Sequence, residues 1–203
     1  MIYLIRHGQT EFNRDDRVQG RVDSPLTELG ALQARAMGER LKAIVREAPG
    51  VWALETSPLG RARQTAAIIA AVAGLPDPRI DERLIEVGYG DFEGFTRAEL
   101  DARWPQYVGV NGIFGRAPGG ETFEALSARV GDWLAQVERD AGARRVVAVT
   151  HAGVARTLRG LYLGLDLEAI RQLDKPQGVI FHLHDGRIER LDCAPLPSRA
   201  ARG

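Results

Sequence analysis

The 203-residue sequence has one cysteine, Cys193, and only two lysines, Lys42 and Lys175. A single cysteine excludes an internal disulfide and a cysteine-based zinc cluster. No window reaches the ~20 apolar residues that a membrane-spanning helix needs. The apolar stretch Met1-Ile2-Tyr3-Leu4-Ile5 is too short for the core of a secretory signal. The expectation is a cytoplasmic protein with no membrane partner. Neither sign of charge is in surplus: Lys plus Arg is 27, Asp plus Glu is 27, and the net charge is zero. A general nucleic-acid binder carries a basic excess, so no nucleic-acid partner is expected. With lysine so scarce, 25 of the 27 basic residues are arginine. Most of these follow from compositional bias, and an individual arginine carries meaning only through its position.

What remains is the composition of an ordinary folded chain. Apolar residues make up 44% and charged residues 27%, close to globular averages. The length fits one domain over residues 1–203, with an insertion at about 95–121 and a frayed tail at about 195–203. Ile2-Tyr3-Leu4-Ile5 is short, apolar and β-rich, and predicts a buried strand. Thr27 precedes a helical pattern in which Leu29, Leu32, Ala36, Leu41 and Ile44 keep one face to about Arg46; Pro49-Gly50 breaks it. Val51 to Leu54 predicts a second strand, and residues 59–73 a helix stopped by Gly74. Residues 79–95 carry Gly88, Gly90 and Gly94 and predict a loop after a third strand region. Residues 96–103 predict a short helix with Thr96 and Glu99 as a capping box. Repeated Gly and Pro between 104 and 120 mark an irregular excursion, followed by a helix from about Thr122 to Asp140. Val146 to Val149 is the clearest buried strand and leads into a helix ending near Leu163. Asp185-Gly186, between β-rich runs at 179–183 and 187–191, signals a hairpin. Strands alternate with helices, so the fold class is α/β. The expected form is a three-layer sandwich: a mainly parallel central sheet, helices on both faces, and the small insertion over the active site.

In open α/β sheets, ligands bind at the carboxyl ends of strands. Two of the four histidines stand there independently. His7 follows the first strand and His151 the clearest one, and each precedes a small residue, Gly8 or Ala152. Arg6 adjoins His7, while Arg61 and Arg63 open the helix after the second strand. Guanidinium groups and helix N-termini both bind phosphate oxygens. Two histidines ringed by arginines fit a phosphate pocket better than a metal site, because neighbouring arginines oppose a dication. Arg63 lies ~200° around the helix from Arg61 and is expected to face solvent. His182 and His184, at i and i+2, share one strand face. With no third ligand in view, they read as an exposed strand face rather than half a metal site. A departing alkoxide needs a proton. Glu86 and Glu93 both lie in the Gly-rich loop, and spacing alone does not choose between them.

These residues carry a resemblance. Leu4-Ile5-Arg6-His7-Gly8-Gln9-Thr10-Glu11-Phe12-Asn13 resembles the N-terminal signature of the histidine phosphatase superfamily, which includes the cofactor-dependent phosphoglycerate mutases. Gln19-Gly20 and Asp23-Ser24-Pro25-Leu26-Thr27-Glu28-Leu29-Gly30 are similar to its following segment. Thr56-Ser57-Pro58-Leu59, Arg61-Ala62 and Gln64-Thr65-Ala66 are similar to its second motif. Leu84-Ile85-Glu86 with Gly90 and Glu93-Gly94 resembles the third, and Val149-Thr150-His151-Ala152-Gly153-Val154 the fourth. A lone Arg-His-Gly is a weak signal; five motifs in order over residues 4–154 are a strong one. The resemblance implies His7 as the phosphorylated nucleophile. It implies Arg6, Arg61 and His151 as holders of the transferring phosphoryl group, and Glu86 as proton donor. Thr10, Asn13, Gln19, Gly20 and Ala152 complete the expected substrate contacts. It implies no metal and no cofactor, and leaves Glu93 as a loop element.

Mutase and phosphatase activities share the phosphohistidine and differ in the acceptor. The mutases of this family carry an adjacent arginine pair in a sizeable insertion after the proton donor. Here Val87-Gly88-Tyr89-Gly90 follows Glu86, and Gly94 to Gly120 holds only Arg97, Arg103 and Arg116, none adjacent. Pro118-Gly119-Gly120-Glu121-Thr122 resembles the phosphatase branch. Phe95, Trp104, Tyr107 and Phe114 either form an apolar lid over a less charged substrate or pack the insertion against the sheet; packing is the favoured reading. Ile85 and Ala152 depart from the arginine and glycine of many phosphatase relatives, without touching the expected chemistry. The reading is a metal-independent phosphomonoesterase acting on a small metabolite. The alternatives are a phosphoglycerate mutase and a catalytically weak phospholigand-binding module. The hairpin at 179–191 offers an edge through which a homo-oligomer would pair.

Overall fold

The computed structural model describes residues 1–108, 114, 117–140 and 144–193. Its centre is one six-stranded sheet in the order β3-β2-β4-β1-β5-β6. The strands are β1 (Ile2–Arg6), β2 (Trp52–Thr56), β3 (Arg79–Ile80), β4 (Arg145–Thr150), β5 (Val179–His184) and β6 (Arg187–Asp192). The pairs β3–β2, β2–β4 and β4–β1 are parallel; β5 runs antiparallel to β1, and β6 to β5. The sheet is therefore mixed, and mainly parallel around the two central strands.

The helices follow from the pattern of apolar residues. They are α1 (Glu11–Arg14), α2 (Glu28–Glu47), α3 (Gly60–Ala73), α4 (Arg97–Arg103), α5 (Pro105–Val108), α6 (Phe123–Arg139), α7 (Ala152–Tyr162) and α8 (Leu167–Gln172). In β1 and β4 successive side chains point to opposite faces. Leu4, Val146 and Ala148 pack with Trp133 of α6 and Leu158 of α7. Tyr3, Ile5, Val147 and Val149 pack with Met37 and Leu41 of α2 and Ile69 of α3. Both faces of the parallel strands are covered, which is why β4 is an unbroken apolar run rather than an alternating one. This is the three-layer α/β sandwich expected. Among the described residues, no helix is long and apolar enough to cross a membrane.

Helix boundaries match their chemical signals. Thr27 and Thr122 accept from the third helical N–H of α2 and α6, and Thr96 forms a reciprocal capping box with Glu99. Gly74 ends α3 at φ 69°, in the left-handed region. The β5–β6 turn uses Asp185 and Gly186 at φ 47° and 70°, the backbone that a two-residue hairpin with right-handed twist requires. Three short helices, α1, α5 and α8, were not anticipated, α5 lying in the segment read as irregular; four to six residues carry no usable period.

The insertion has its own small core. Val18, Phe92 and Leu100 are buried together, with Phe95, Trp104, Tyr107 and Tyr89 packed against them. Phe114 joins the main core beside Val87. Residues 109–113 and 115–116 of the excursion, and the tail from 194, lie outside the described residues.

Candidate active site

The carboxyl ends of β1 and β4 bring the two histidines together. His7 N–H donates to the Thr150 carbonyl at 2.9 Å, extending the β1–β4 ladder by one rung. The His7 and His151 rings stand 5.1 Å apart between centroids, tilted by 59°. His7 is 3% exposed. Its Nδ1 lies 2.8 Å from the Gly8 carbonyl. A carbonyl only accepts, so Nδ1 carries the proton and Nε2 presents a lone pair. Burial first, and then the Arg61 and Arg6 charges, hold the imidazole well below its ordinary pKa, hence neutral. Gly8 is required where it stands, because a Cβ there would lie 2.2 Å from the Gly30 carbonyl of α2.

Arg61 is fully buried and saturated with acceptors. Its Nε–H donates to His7 Nε2 at 3.3 Å, Nη2 to the Gly20 carbonyl at 2.7 Å, and Nη1 to the Val22 carbonyl and Asp23 Oδ1 at 3.0 and 3.1 Å. Asp23 also accepts from the first two backbone N–H groups of α3, those of Gly60 and Arg61. The N-cap position of α3 is Leu59, which cannot cap, so a carboxylate from another loop does so. Arg6 donates from Nη1 to the Lys175 carbonyl at 2.5 Å. Burial brings its pKa down to about 10, which leaves it charged at neutral pH. Arg63 is exposed on the far side of α3.

The same arrangement recurs at α7. Its N-cap residue, His151, makes no side-chain cap. Glu86 takes that place: its Oε2 accepts from Gly153 N–H at 3.2 Å, and its Oε1 from Val154 and Val87 N–H at 3.3 and 2.9 Å. His151 is fully buried, and its Nε2 lies 2.7 Å from Ser57 Oγ. Ser57 Oγ accepts from Leu59 N–H at 3.3 Å. When the Ser57 hydroxyl gives its own proton to His151 Nε2, the imidazole proton is on Nδ1. That nitrogen is buried with no partner among the described residues. Burial, then Arg61 and His7, keep this ring neutral as well.

A pocket of about 320 Å³ opens above these groups. Of the residues expected from sequence, Arg6, His7, Asn13, Gln19, Gly20, Arg61, Glu86 and Ala152 line it. Thr10 does not. Its hydroxyl caps α1 and accepts from Gln19 Nε2 at 2.7 Å, so it orients Asn13 and Gln19 from behind. His151 is likewise not among the lining residues and stands behind His7. Glu93 is also outside the lining. It accepts from Arg21, Val22 and Tyr89 N–H and ties the 20–22 loop to the third motif. The four aromatics of the insertion form no lid among the described residues, since none lines the pocket.

Sequence reasoning missed eight lining residues: Gln9, Asp16, Arg17, Val18, Tyr89, Arg97, Lys175 and Gln177. Gln177 donates to Asn13 Oδ1 at 3.0 Å and to the His7 carbonyl at 3.2 Å. Lys175 and Arg97 donate no side-chain hydrogen bond among the described residues. Burial, with Arg97 and Arg156 nearby, lowers the Lys175 ammonium to about 8. The signal that could have found Lys175 and Gln177 is topological. A strand antiparallel to β1 begins where β1 ends, so the loop entering β5 belongs to the site.

Residues 2–189 match the model of the histidine phosphatase superfamily (branch 1). The chain belongs to the histidine phosphatase superfamily. The curated protein "Probable phosphoglycerate mutase GpmB" of Citrobacter koseri is 38% identical over 176 residues, covering 85% of this chain and 79% of that one. Among solved members of the fold, the mycobacterial glucosyl-3-phosphoglycerate phosphatase complexed with VO3 superposes with a TM-score of 0.80 at 28% identity, covering 95% of this chain and 99% of that one. The alpha-ribazole phosphatase of Shigella flexneri gives 0.74 at 26% identity, covering 95% and 94%.

Proposed function

We propose that the protein is a phosphomonoesterase that transfers the phosphoryl group of a small phosphate ester to His7 and then to water. The observation that carries this reading is His7 itself: a neutral ring whose unprotonated Nε2 faces Arg61 at the floor of an open pocket. In the first step the bond from phosphorus to the ester oxygen breaks as the bond to Nε2 forms. Arg6 and Arg61, which line the pocket, balance charge on the equatorial oxygens, where catalysis of phosphoryl transfer mostly resides, and His151 backs His7 from behind. Glu86, on the pocket wall, protonates the departing alkoxide. In the second step Glu86 takes a proton from water, which attacks phosphorus as the P–N bond breaks and orthophosphate leaves. Arginine and lysine supply positive charge where a metallophosphatase would place its ion, so the chemistry proposed is metal-independent.

The substrate proposed carries a second anionic group. Arg17, Arg97 and Lys175, against the acidic Asp16, extend positive charge beyond Arg6 and Arg61, which speaks against the alternative of a less charged substrate under an apolar lid. The same three residues favour a second reading, phosphoglycerate mutase, since a mutase must retain an anionic three-carbon substrate between transfers. Two assays in EDTA separate the readings: phosphate release from p-nitrophenyl phosphate and from phosphoglycerates, and interconversion of phosphoglycerates. Release without interconversion, lost in His7→Ala, supports hydrolysis. Interconversion that depends on added bisphosphoglycerate would make the enzyme a mutase. Activity in neither assay, with no phosphohistidine formed, would leave a phospholigand-binding module.

A further inference from the structure

The end of the sheet away from the pocket carries a second cluster of chemistry-bearing side chains. The β5–β6 hairpin pairs His182 directly with Glu189 and His184 with Arg187, so His182, His184 and Glu189 share one face. Each offers one ligand atom, and these atoms all lie within 4.8 Å of one another. His182 Nδ1 is 3.8 Å and His184 Nε2 4.0 Å from Glu189 Oε2. We propose that His182, His184 and Glu189 bind one first-row transition-metal dication of the zinc type.

Three observations carry this beyond proximity. First, the His184 tautomer is set from outside the cluster. Its Nδ1 lies 3.2 Å from Asp185 Oδ2, so the proton sits on Nδ1 and the Nε2 lone pair faces the Glu189 carboxylate. A lone pair against an anion is unfavourable until a cation stands between them. An outer carboxylate on the far nitrogen is also the usual support of a metal-bound histidine. Second, His182 Nδ1 makes no hydrogen bond of normal length: it stands 3.8 Å from Glu189 Oε2, so its lone pair is open to an ion placed between the two. Third, one of the two rings is held in place. Tyr3 fixes the His182 ring by stacking at 4.4 Å with planes 2° apart, whereas His184 lies over His182 at 4.2 Å with planes 25° apart and, being partly exposed, must rotate to bring its in-plane lone pair onto the same ion.

The donor set fits the class. Two imidazoles and a carboxylate suit zinc, copper, nickel or cobalt rather than calcium or magnesium. Bonds of about 2.1 Å place tetrahedral ligand atoms roughly 3.4 Å apart. Glu189, whose side chain is 61% exposed, can close that difference by a change of rotamer. Arg187, cross-strand from His184, is exposed and can extend its guanidinium into solvent. The ion would join the edge strand β6 to β5, and the site stands apart from the phosphate pocket.

The test is calorimetric titration of ZnCl2 and of NiCl2 into protein that carries no added histidines and has been stripped with EDTA and dialysed. One equivalent is expected to bind wild type, and His7→Ala with equal affinity. Binding is expected to weaken by at least about tenfold in Glu189→Gln and in His184→Gln, and by about tenfold in Asp185→Asn, whose carboxylate only orients the ligand. Glu189 and Asp185 are exposed, so melting temperatures without metal should match wild type and exclude misfolding. Absence of binding in wild type would overturn the proposal. So would equal affinity in Glu189→Gln, or loss of binding in His7→Ala, which would place the ion on the catalytic histidines. His184 remaining protonated at neutral pH in proton NMR, unchanged by added zinc, would also overturn it.

Discussion

Arg61 Nε stands 3.3 Å from His7 Nε2, and three oxygens of the 20–23 loop, on Gly20, Val22 and Asp23, hold the guanidinium in that position. The arginine thus points at the nitrogen that would form the bond to phosphorus. Lysine has no fork and cannot reproduce these contacts. Arg61→Lys is expected to fold and to lose about 10²- to 10³-fold in kcat/KM, the usual cost of one transition-state donor. A loss under threefold in steady-state assays would show that Arg61 only braces the loop.

Glu86→Gln separates acid catalysis from packing. An aryl leaving group needs little protonation and an alkoxide needs much. The variant is therefore expected to lose about 10²-fold or more on an alkyl phosphate and far less on p-nitrophenyl phosphate. An amide N–H set against the N-terminus of α7 also leaves a donor unmatched, so the melting temperature should fall, by the equivalent of roughly 1–3 kcal/mol. Equal losses on both esters would remove Glu86 from the proton transfer.

Gly153→Ala probes the same carboxylate from the other side. A Cβ at Gly153 would lie 2.7 Å from Glu86 Oε1 and 2.9 Å from Val87 Cγ1. Alanine is the better helix former by up to about 1 kcal/mol, which partly offsets the crowding. Activity on alkyl esters is expected to fall at least about tenfold, with a comparatively small change in melting temperature. Wild-type activity in this variant would mean that the Glu86 position is not critical.

Lys175 predicts a pH effect. Its ammonium is lowered to about 8 by burial and by neighbouring arginines, so its charge disappears as pH rises through that value. For a substrate with a second anionic group, kcat/KM is expected to decline above about pH 8. The decline should be weaker with p-nitrophenyl phosphate and absent in Lys175→Gln. An unchanged alkaline limb in the variant would exclude Lys175 as its source.

His7 and His151 predict a stability slope. Both are held neutral in the folded protein, well below the ordinary imidazole value. Below about pH 6.5 the unfolded chain takes up protons that the folded one refuses, so stability is intact above that pH and falls as pH drops. Each ring contributes a slope of up to about 1.4 kcal/mol per pH unit. Denaturant midpoints between pH 7 and 5 should fall less steeply in His7→Gln than in wild type. Parallel slopes would mean that His7 is protonated in the fold.

Much of this was legible in the sequence, for local reasons. Strand β4 is four small or β-branched apolar residues in a row, Thr27 and Thr122 are capping residues, and Asp185-Gly186 is a hairpin turn. Each is written within a few positions. The strand-end rule placed His7 and His151 together before any long-range contact was known. The roles of Asp23 and Glu86 as caps of α3 and α7 were not legible, because the partners lie 37 and 67 residues apart. Lys175 and Gln177 were missed because their place depends on β5 lying antiparallel beside β1. Glu189 was missed as a third candidate ligand because its pairing with His182 needs the hairpin register, although Asp185-Gly186 would have supplied it. The aromatics of 95–107 packed inward, since a segment that carries Phe92 and Leu100 needs a core of its own.

The most direct measurement is intact-protein mass spectrometry on enzyme quenched in alkali within its first turnovers on a phosphate ester. A single phosphoryl adduct, stable in base, labile in acid, mapped to His7 and absent in His7→Ala, is the expected result. Turnover with no such adduct, or an adduct that persists in His7→Ala, would contradict a phosphohistidine at His7.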